Sequence, residues 1–511
     1  MPTRARSWCG GWGAAGVALV IAFAARPARV AGADPVPLPA VPGQPPGGVV
    51  PPAVVPSVLP QTGPGEAVPA PTGLATPAPA PTPAPTGAAS VPLRDYWKSG
   101  LRFESADKDF SLFVGGRAQF DVVGYMAPQG LRDNVPGTAP LEDGVSFRRL
   151  RLDMGGTLYK TIDFYTQVDF ANGFLGTPDG SRLTNATYPT DVWVAFKELP
   201  LVGNVKVGNQ KPLYSFEHLT SSRFLNFLER SLGFDAFAEG FNNGFEPGIS
   251  AYDTYQDKRG TWAVGLFKST RSPFGWNVGR NEAEVSGRVT YLPVYEDDGE
   301  FLVHVGLGAA HRDLDQDQAR FRARLDARNS PSTFSPLVAD TGLIYGSRQQ
   351  ILVPELVAVC GPWSFQSEYY ASWVEGVSTT TAANLPLAPQ GTVYMQSVYA
   401  EAHYFLTGET REYNRDTGVF GRVVPRSPLA WSRAGFTGFG AWQATARYSY
   451  LDLDSKGVTG GRVHDMTLGL NWFLNPNMKF QLNYFLAHRD VANPAGDGFI
   501  NGLGVRTAID F

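Results

Sequence analysis

The segment SFRRLRLDMGGTLYKTIDFYTQVDF, residues 146–170, admits few environments. Leu150, Leu152, Met154 and Leu158 fall on one parity, as on a strand with a single apolar face. Arg149 and Arg151 alternate with those residues, and in the next strand Asp163 and Asp169 oppose Ile162, Phe164, Val168 and Phe170. A sheet packed against a protein core would not tolerate charge in its middle. A sheet with lipid on one side and a water-filled lumen on the other would, because an arginine facing lipid at mid-depth costs about 2–4 kcal/mol whereas one facing the lumen does not. By the same parity Arg148 falls on the apolar side and is expected near a rim.

One alternating strand proves little, since half-buried soluble sheets alternate too. Here the alternation repeats from about Lys108 to the last residue. Strands are expected near 110–122, 145–158, 162–170, 190–197, 203–210, 244–254, 260–268, 283–292, 300–311, 351–360, 363–374, 392–406, 438–451, 463–473, 478–488 and 499–511. These spans are close to the roughly 9–11 residues that cross a membrane at a tilt. Short turns such as 159–161 and 255–259 take turns with long connections such as 123–144, 171–189, 211–243 and 312–350, as in transmembrane barrels. The connection 407–437 departs from this order, being long where a short turn is expected. Trp193, Trp262, Trp363, Trp442, Trp472 and Tyr404 sit near strand ends as interfacial girdles require. The reading is all-β: a transmembrane antiparallel β-barrel of about 16 strands with an infolded third loop.

The ends of the chain fit export. Arg4 and Arg6 precede an apolar run and Ala31-Gly32-Ala33 has the small-residue cleavage pattern, so residues 1–33 read as a signal peptide. Residues 34–93 form a Pro/Ala-rich linker, with 19 of the 41 prolines between 34 and 92, a composition that favours extended polyproline II over a core. Contact with the cell wall through this linker is one expectation. Residues 94–511 form the barrel domain. Removing residues 1–33 takes away four arginines and no acids, leaving 39 basic against 47 acidic side chains, so no nucleic-acid partner is expected. With residues 1–33 removed the one cysteine left is Cys360, so no intramolecular disulfide is expected.

Strand parity sends Arg117, Arg149, Arg151, Lys197, Lys206, Arg288, Arg447, Lys479 and Arg506 into the lumen. It sends Asp121, Asp153, Asp163, Asp169, Asp191, Glu284, Glu368, Glu401 and Asp510 there as well, so count alone chooses no sign. The connection 211–243 carries Phe216, Leu219, Phe224, Leu225, Phe227 and Leu228, too apolar for solvent. It is expected to fold into the barrel and bring Lys211, Arg223 and Arg230 towards the wall. Acidic stretches at 141–145 and 312–318 read as solvated loop charge. The histidines are scattered singly, with no G-x-S-x-G, H-E-x-x-H or Cys/His metal spacing, so neither an enzyme nor a cofactor is expected.

Five stretches carry a family resemblance: SLFVGGRAQFD (111–121), FRRLRLDMGGTLY (147–159), VGNQKPLYSFEHLTSSRFLNFLERS (207–231), GAWQATARYSYLDL (440–453) and LGLNWFLNPNMKFQLNYF (468–485). Together they resemble the phosphate-selective porins O and P. The resemblance implies a sixteen-stranded outer-membrane barrel, a homotrimer, and an arginine-lined path for phosphate or polyphosphate. Arg117 and the pair Arg148–Arg149 match the family's lumen arginines; Lys211 and Arg223 lie in the matching third loop. The candidate anion pathway is therefore Arg117, Arg148, Arg149, Arg151, Lys211, Arg223, Arg230, Arg288 and Arg447. The expected partners are outer-membrane lipid and small anions such as phosphate. A general non-selective porin and a wall-tethered structural barrel are the alternatives.

Overall fold

The computed structural model describes residues 91–511 except 137–139, 172–173, 177–182, 186, 240–243, 269–282, 315–316, 329–335 and 380–387. The expected leader and almost all of the Pro/Ala-rich linker lie outside the described residues. Sixteen antiparallel strands form the wall. They are β1 (Phe110–Met126), β2 (Gly144–Leu158), β3 (Ile162–Asp169), β4 (Tyr188–Leu199), β5 (Gly203–Gln210), β6 (Glu246–Tyr255), β7 (Gly260–Lys268) and β8 (Ala283–Glu296). The second half comprises β9 (Phe301–Asp313), β10 (Arg348–Cys360), β11 (Trp363–Thr379), β12 (Ala388–Phe405), β13 (Ala441–Ser455), β14 (Val458–Asn475), β15 (Met478–Asp490) and β16 (Gly498–Asp510).

Each strand pairs with its neighbours in sequence, and β16 returns to β1, with Thr507 opposite Phe120 and Asp510 opposite Arg117. Closure removes the free edges that an open sheet would expose to lipid. The seam is finished by the last residue: the backbone of Phe511 exchanges hydrogen bonds of 2.7 and 2.9 Å with Gly116. A short hairpin, Leu93–Trp97 with Leu101–Ser105, pairs onto the start of β1. At the short-turn rim, left-handed backbone at consecutive residues, Tyr159 and Lys160 (φ 50° and 63°), reverses the chain between β2 and β3.

The two faces separate as the parity argument requires. Leu150, Leu152, Met154, Val264, Leu266, Leu468 and Leu503 are exposed on the outer face. Arg117, Arg149, Arg151, Asp169, Arg288 and Arg506 are buried on the inner one. Aromatic rings gather on the outer wall: Trp363 with Tyr404, Trp442 with Trp472, and Trp472 with Phe480, at centroid distances of 4.4, 4.9 and 5.9 Å.

Two readings of the wall need correction. Arg148 is not a rim residue. Gln119 pairs with Arg149 and Phe120 with Phe147, which makes Arg148 the extra residue of a β-bulge. The bulge turns Arg148 inward beside Arg149, so an arginine on the apolar parity never meets lipid. Trp193 is not part of the outer girdle either. Val192 and Val194 on either side of it are exposed, and its ring lies under the Lys206 ammonium at 4.6 Å.

The lumen is filled by three connections. The described residues 211–239 of the third loop cross it as expected. Ser215 caps its first turn by accepting from the His218 N–H, and the Phe216 and Glu217 N–H groups donate to the Glu368 carboxylate at 2.7 and 3.0 Å. At its other end Glu229 meets Arg148, Arg149 and Arg506 at 2.7, 3.3 and 3.1 Å.

The connection between β9 and β10 reaches into the barrel as well, rather than standing in solvent. Phe321, Leu325 and Ala327 are buried, and Asp326 bonds Arg447 at 2.5 Å and Thr467 at 2.6 Å. The long connection between β12 and β13 enters from the short-turn rim. There Phe420 packs edge-on against Phe216 of the third loop at 5.3 Å, and Arg411 bonds Asn226 and the Phe224 carbonyl.

Candidate functional site

Between the wall and these infolded segments lies a cavity of about 420 Å³. β1 and β2 supply Arg117, Arg148, Arg149 and Arg151; β5 supplies Lys206 and β8 Arg288; the third loop supplies Lys211, Arg223 and Arg230. Among the described residues these nine cations face three lining acids, Asp191, Asp253 and Asp416. The β12–β13 connection closes one side with Asn414, Thr417, Val419 and Phe420. Cross-strand register explains the density of charge: Arg117 lies directly opposite Arg151, and the bulge beside this pair adds Arg148 to Arg149.

Several of these cations are spoken for. Arg148 and Arg149 share Glu229, Arg151 holds Asp169 at 2.6 Å, Arg223 holds Asp153 at 2.7 Å and Arg288 holds Glu355 at 2.7 Å. Arg230 donates to the Glu217 and Thr220 carbonyls at 2.8 and 2.7 Å. Arg117, Lys206 and Lys211 are different, because none makes an ion pair among the described residues. Arg117 donates to Gln167 at 2.9 Å and reaches Ser221 at 3.5 Å, while its Nε has no partner among the described residues. Lys211 donates to the His218 carbonyl at 2.6 Å, and Lys206 lies over the rings of Trp193 and Tyr252. A guanidinium and two ammonium groups with spare donors, set among other cations in a confined space, are groups chemically able to hydrogen-bond an oxyanion.

Eight of the nine residues singled out from sequence line this cavity. Arg447 does not. It is buried against the infolded segments, paired with Asp326 at 2.5 Å, Glu217 at 3.5 Å and Glu401 at 3.7 Å, and its role is to hold the third loop and the β9–β10 connection together. Trp193, Tyr252 and the 414–421 stretch line the cavity without having been singled out for it. Wall parity could have shown Trp193 to face inward. No local signal marks the 414–421 stretch, which reaches the cavity only through the tertiary course of its connection.

The phosphate-selective porin O and P family model matches residues 114–511, which is most of the chain and all sixteen wall strands except the first four residues of β1. The chain belongs to that family. This porin is 31% identical to an uncharacterised protein of Caulobacter vibrioides over 465 residues, covering 87% of this chain and 83% of that one. It is 25% identical to Porin O of Pseudomonas aeruginosa over 437 residues, covering 80% of this chain and 90% of that one. Among solved structures it resembles an anion-selective porin from Comamonas acidovorans, with 13% identity, a TM-score of 0.45, and coverage of 79% of this chain and 100% of that one. It is an outer-membrane porin.

Proposed function

We propose that this porin carries small hydrophilic anions, phosphate or polyphosphate above all, by passive diffusion through the cavity beside the third loop. The observation that carries the reading is the imbalance there: nine cations against three acids, with Arg117, Lys206 and Lys211 free of ion pairs among the described residues. An anion in the cavity exchanges part of its hydration for N–H donors already aimed at it, while the low-dielectric wall focuses their field. Planar guanidinium groups match phosphate oxygens bidentately, which favours phosphate over chloride. Passage needs the site to hold its ion weakly, and donors shared with Gln167 and Ser221 keep Arg117 from binding too well.

The test is the zero-current potential of purified protein in a planar bilayer under a potassium chloride gradient, followed by addition of phosphate. Anion-favouring potential with phosphate block of the chloride current is expected. A potential near zero or favouring cations, with no block, would make this a general porin. Homotrimeric assembly belongs to the same family reading and is tested by crosslinking in the native membrane. Export through residues 1–33 and wall contact through residues 34–93 are separate proposals, tested by N-terminal sequencing of the mature protein and by peptidoglycan pull-down with and without 34–93.

A further inference from the structure

The connection between β12 and β13 does two things. Its first part enters the lumen; its second part, Ser427–Gly440, turns outward. There Ala430–Ser432 pairs with Gly435–Thr437 in a small hairpin, Trp431 directly opposite Phe436. Trp431 and Phe436 therefore share one face, and they are 60% and 77% exposed. All six paired residues are exposed, so the hairpin stands clear of the described protein on both sides. An isolated two-stranded hairpin is at best marginally stable in water, and one that shows a tryptophan and a phenylalanine on the same face needs an apolar surface to lie on.

That surface is indicated by where the hairpin is rooted. The Leu429 N–H bonds the Leu474 carbonyl at 2.7 Å, and the Phe439 carbonyl accepts from the Trp472 indole at 2.8 Å. Trp472 stacks between Trp442 and Phe480 in the outer aromatic belt. Exposed Phe439 and Leu406 continue this belt towards the hairpin. The hairpin is thus continuous with the lipid-facing wall at the short-turn rim, and exposed Arg433 stands at its tip.

We propose that the 430–437 hairpin is a membrane-interface foot that lies in the phospholipid leaflet at the short-turn rim, with Trp431 and Phe436 among the acyl chains and Arg433 on the headgroup phosphates. This goes beyond the anion-channel reading and does not depend on it.

The test uses the mature porin in bilayers of phosphatidylethanolamine and phosphatidylglycerol whose acyl chains carry bromine near the headgroup end. The Trp431 signal is taken as the difference between wild type and Trp431→Phe. That difference signal is expected to be quenched by the brominated lipid and shielded from aqueous iodide, and Phe436→Ser should reverse both. Iodide quenching with no bromine quenching would overturn the proposal. Protection from both quenchers would also overturn it, since another copy or a periplasmic protein would then cover the hairpin. Trp431→Phe keeps an aromatic ring, and heat-modifiable mobility on gels verifies that each variant is a folded barrel.

Discussion

Arg117→Gln is expected to make the porin more stable and a poorer anion site at once. Arg117 is buried in the wall opposite another arginine, makes no ion pair among the described residues and leaves Nε without a partner. A buried donor left unsatisfied costs about 1–3 kcal/mol, and like charges directly opposite on paired strands are themselves destabilising. Glutamine removes both costs while keeping a donor for Gln167. Stability should therefore rise by about 1 kcal/mol or more, read as a higher urea midpoint of the detergent-solubilised barrel. Binding moves the other way. A unit charge about 4 Å from an anion contributes about 1 kcal/mol in water and about 4 at an intermediate dielectric. For a wet cavity the lower part of that range applies, so phosphate should block chloride current with a half-blocking concentration about tenfold higher, the equivalent of about 1.4 kcal/mol. Arg151→Gln is the control. It takes the Arg151 ion pair from buried Asp169 and should cost about 3–5 kcal/mol of stability. A destabilised Arg117→Gln with unchanged block would refute the reasoning, for Arg117 would then be holding the wall.

Glu229→Gln takes the carboxylate from Arg148, Arg149 and Arg506 and should cost about 3–5 kcal/mol in third-loop docking. Trypsin cleavage at Arg223 or Arg230 in the folded barrel and noisier open-channel current are the expected readouts. Replacing residues 408–439 with a short turn removes the Thr417–Phe420 side of the cavity and should raise single-channel conductance while weakening phosphate block. Anion preference should shrink towards unity between about 0.1 and 1 M salt, as the Debye length falls from about 10 to about 3 Å, with loop noise unchanged because the buried pairs are screened much less.

The wall was legible from sequence because lipid and water impose a strict two-residue period, and every expected strand overlaps an observed one. Parity failed in two ways. At Arg148 an added bulge residue shifted the phase by one, which no local sequence cue announces. At Trp193 the residue type suggested a girdle, although the exposed valines on either side already implied the opposite face. Infolding was legible in the third loop, where apolar residues are dense. It was missed in the β9–β10 connection, where Phe321, Ala323, Leu325 and Ala327 alternate with Arg322, Arg324, Asp326 and Arg328 and resemble a charged surface strand. Both sets point into packed protein there, because Arg324 and Arg328 find Asp235 of the third loop at 2.9 and 3.3 Å. Such pairing is long-range and leaves no trace in spacing.

That pairing also answers why equal numbers of inward acids and bases can leave a biased lumen. Four of the acids on the wall are consumed locally: Asp121 by Arg506 at 2.6 Å, Glu284 by Arg312 at 2.5 Å, Asp153 by Arg223 and Asp169 by Arg151. Arg312, Arg447 and Arg506 are almost fully buried; Arg447 and Arg506 fasten the wall to the infolded segments through Asp326, Glu217 and Glu229, while Arg312 ties wall strands together through Glu284. What remains for a passing ion is whatever the pairing does not use, and at the cavity this includes Arg117, Lys206 and Lys211. Third-loop folding therefore does more than narrow the barrel. It brings Glu229 to Arg148 and Arg149 and Lys211 to the cavity, so that neutralisation on one side and surplus on the other arise from the same chain segment. Selectivity in such a lumen is set by which charges find partners, and a substitution that breaks a pair changes the field as surely as one that removes a lining cation.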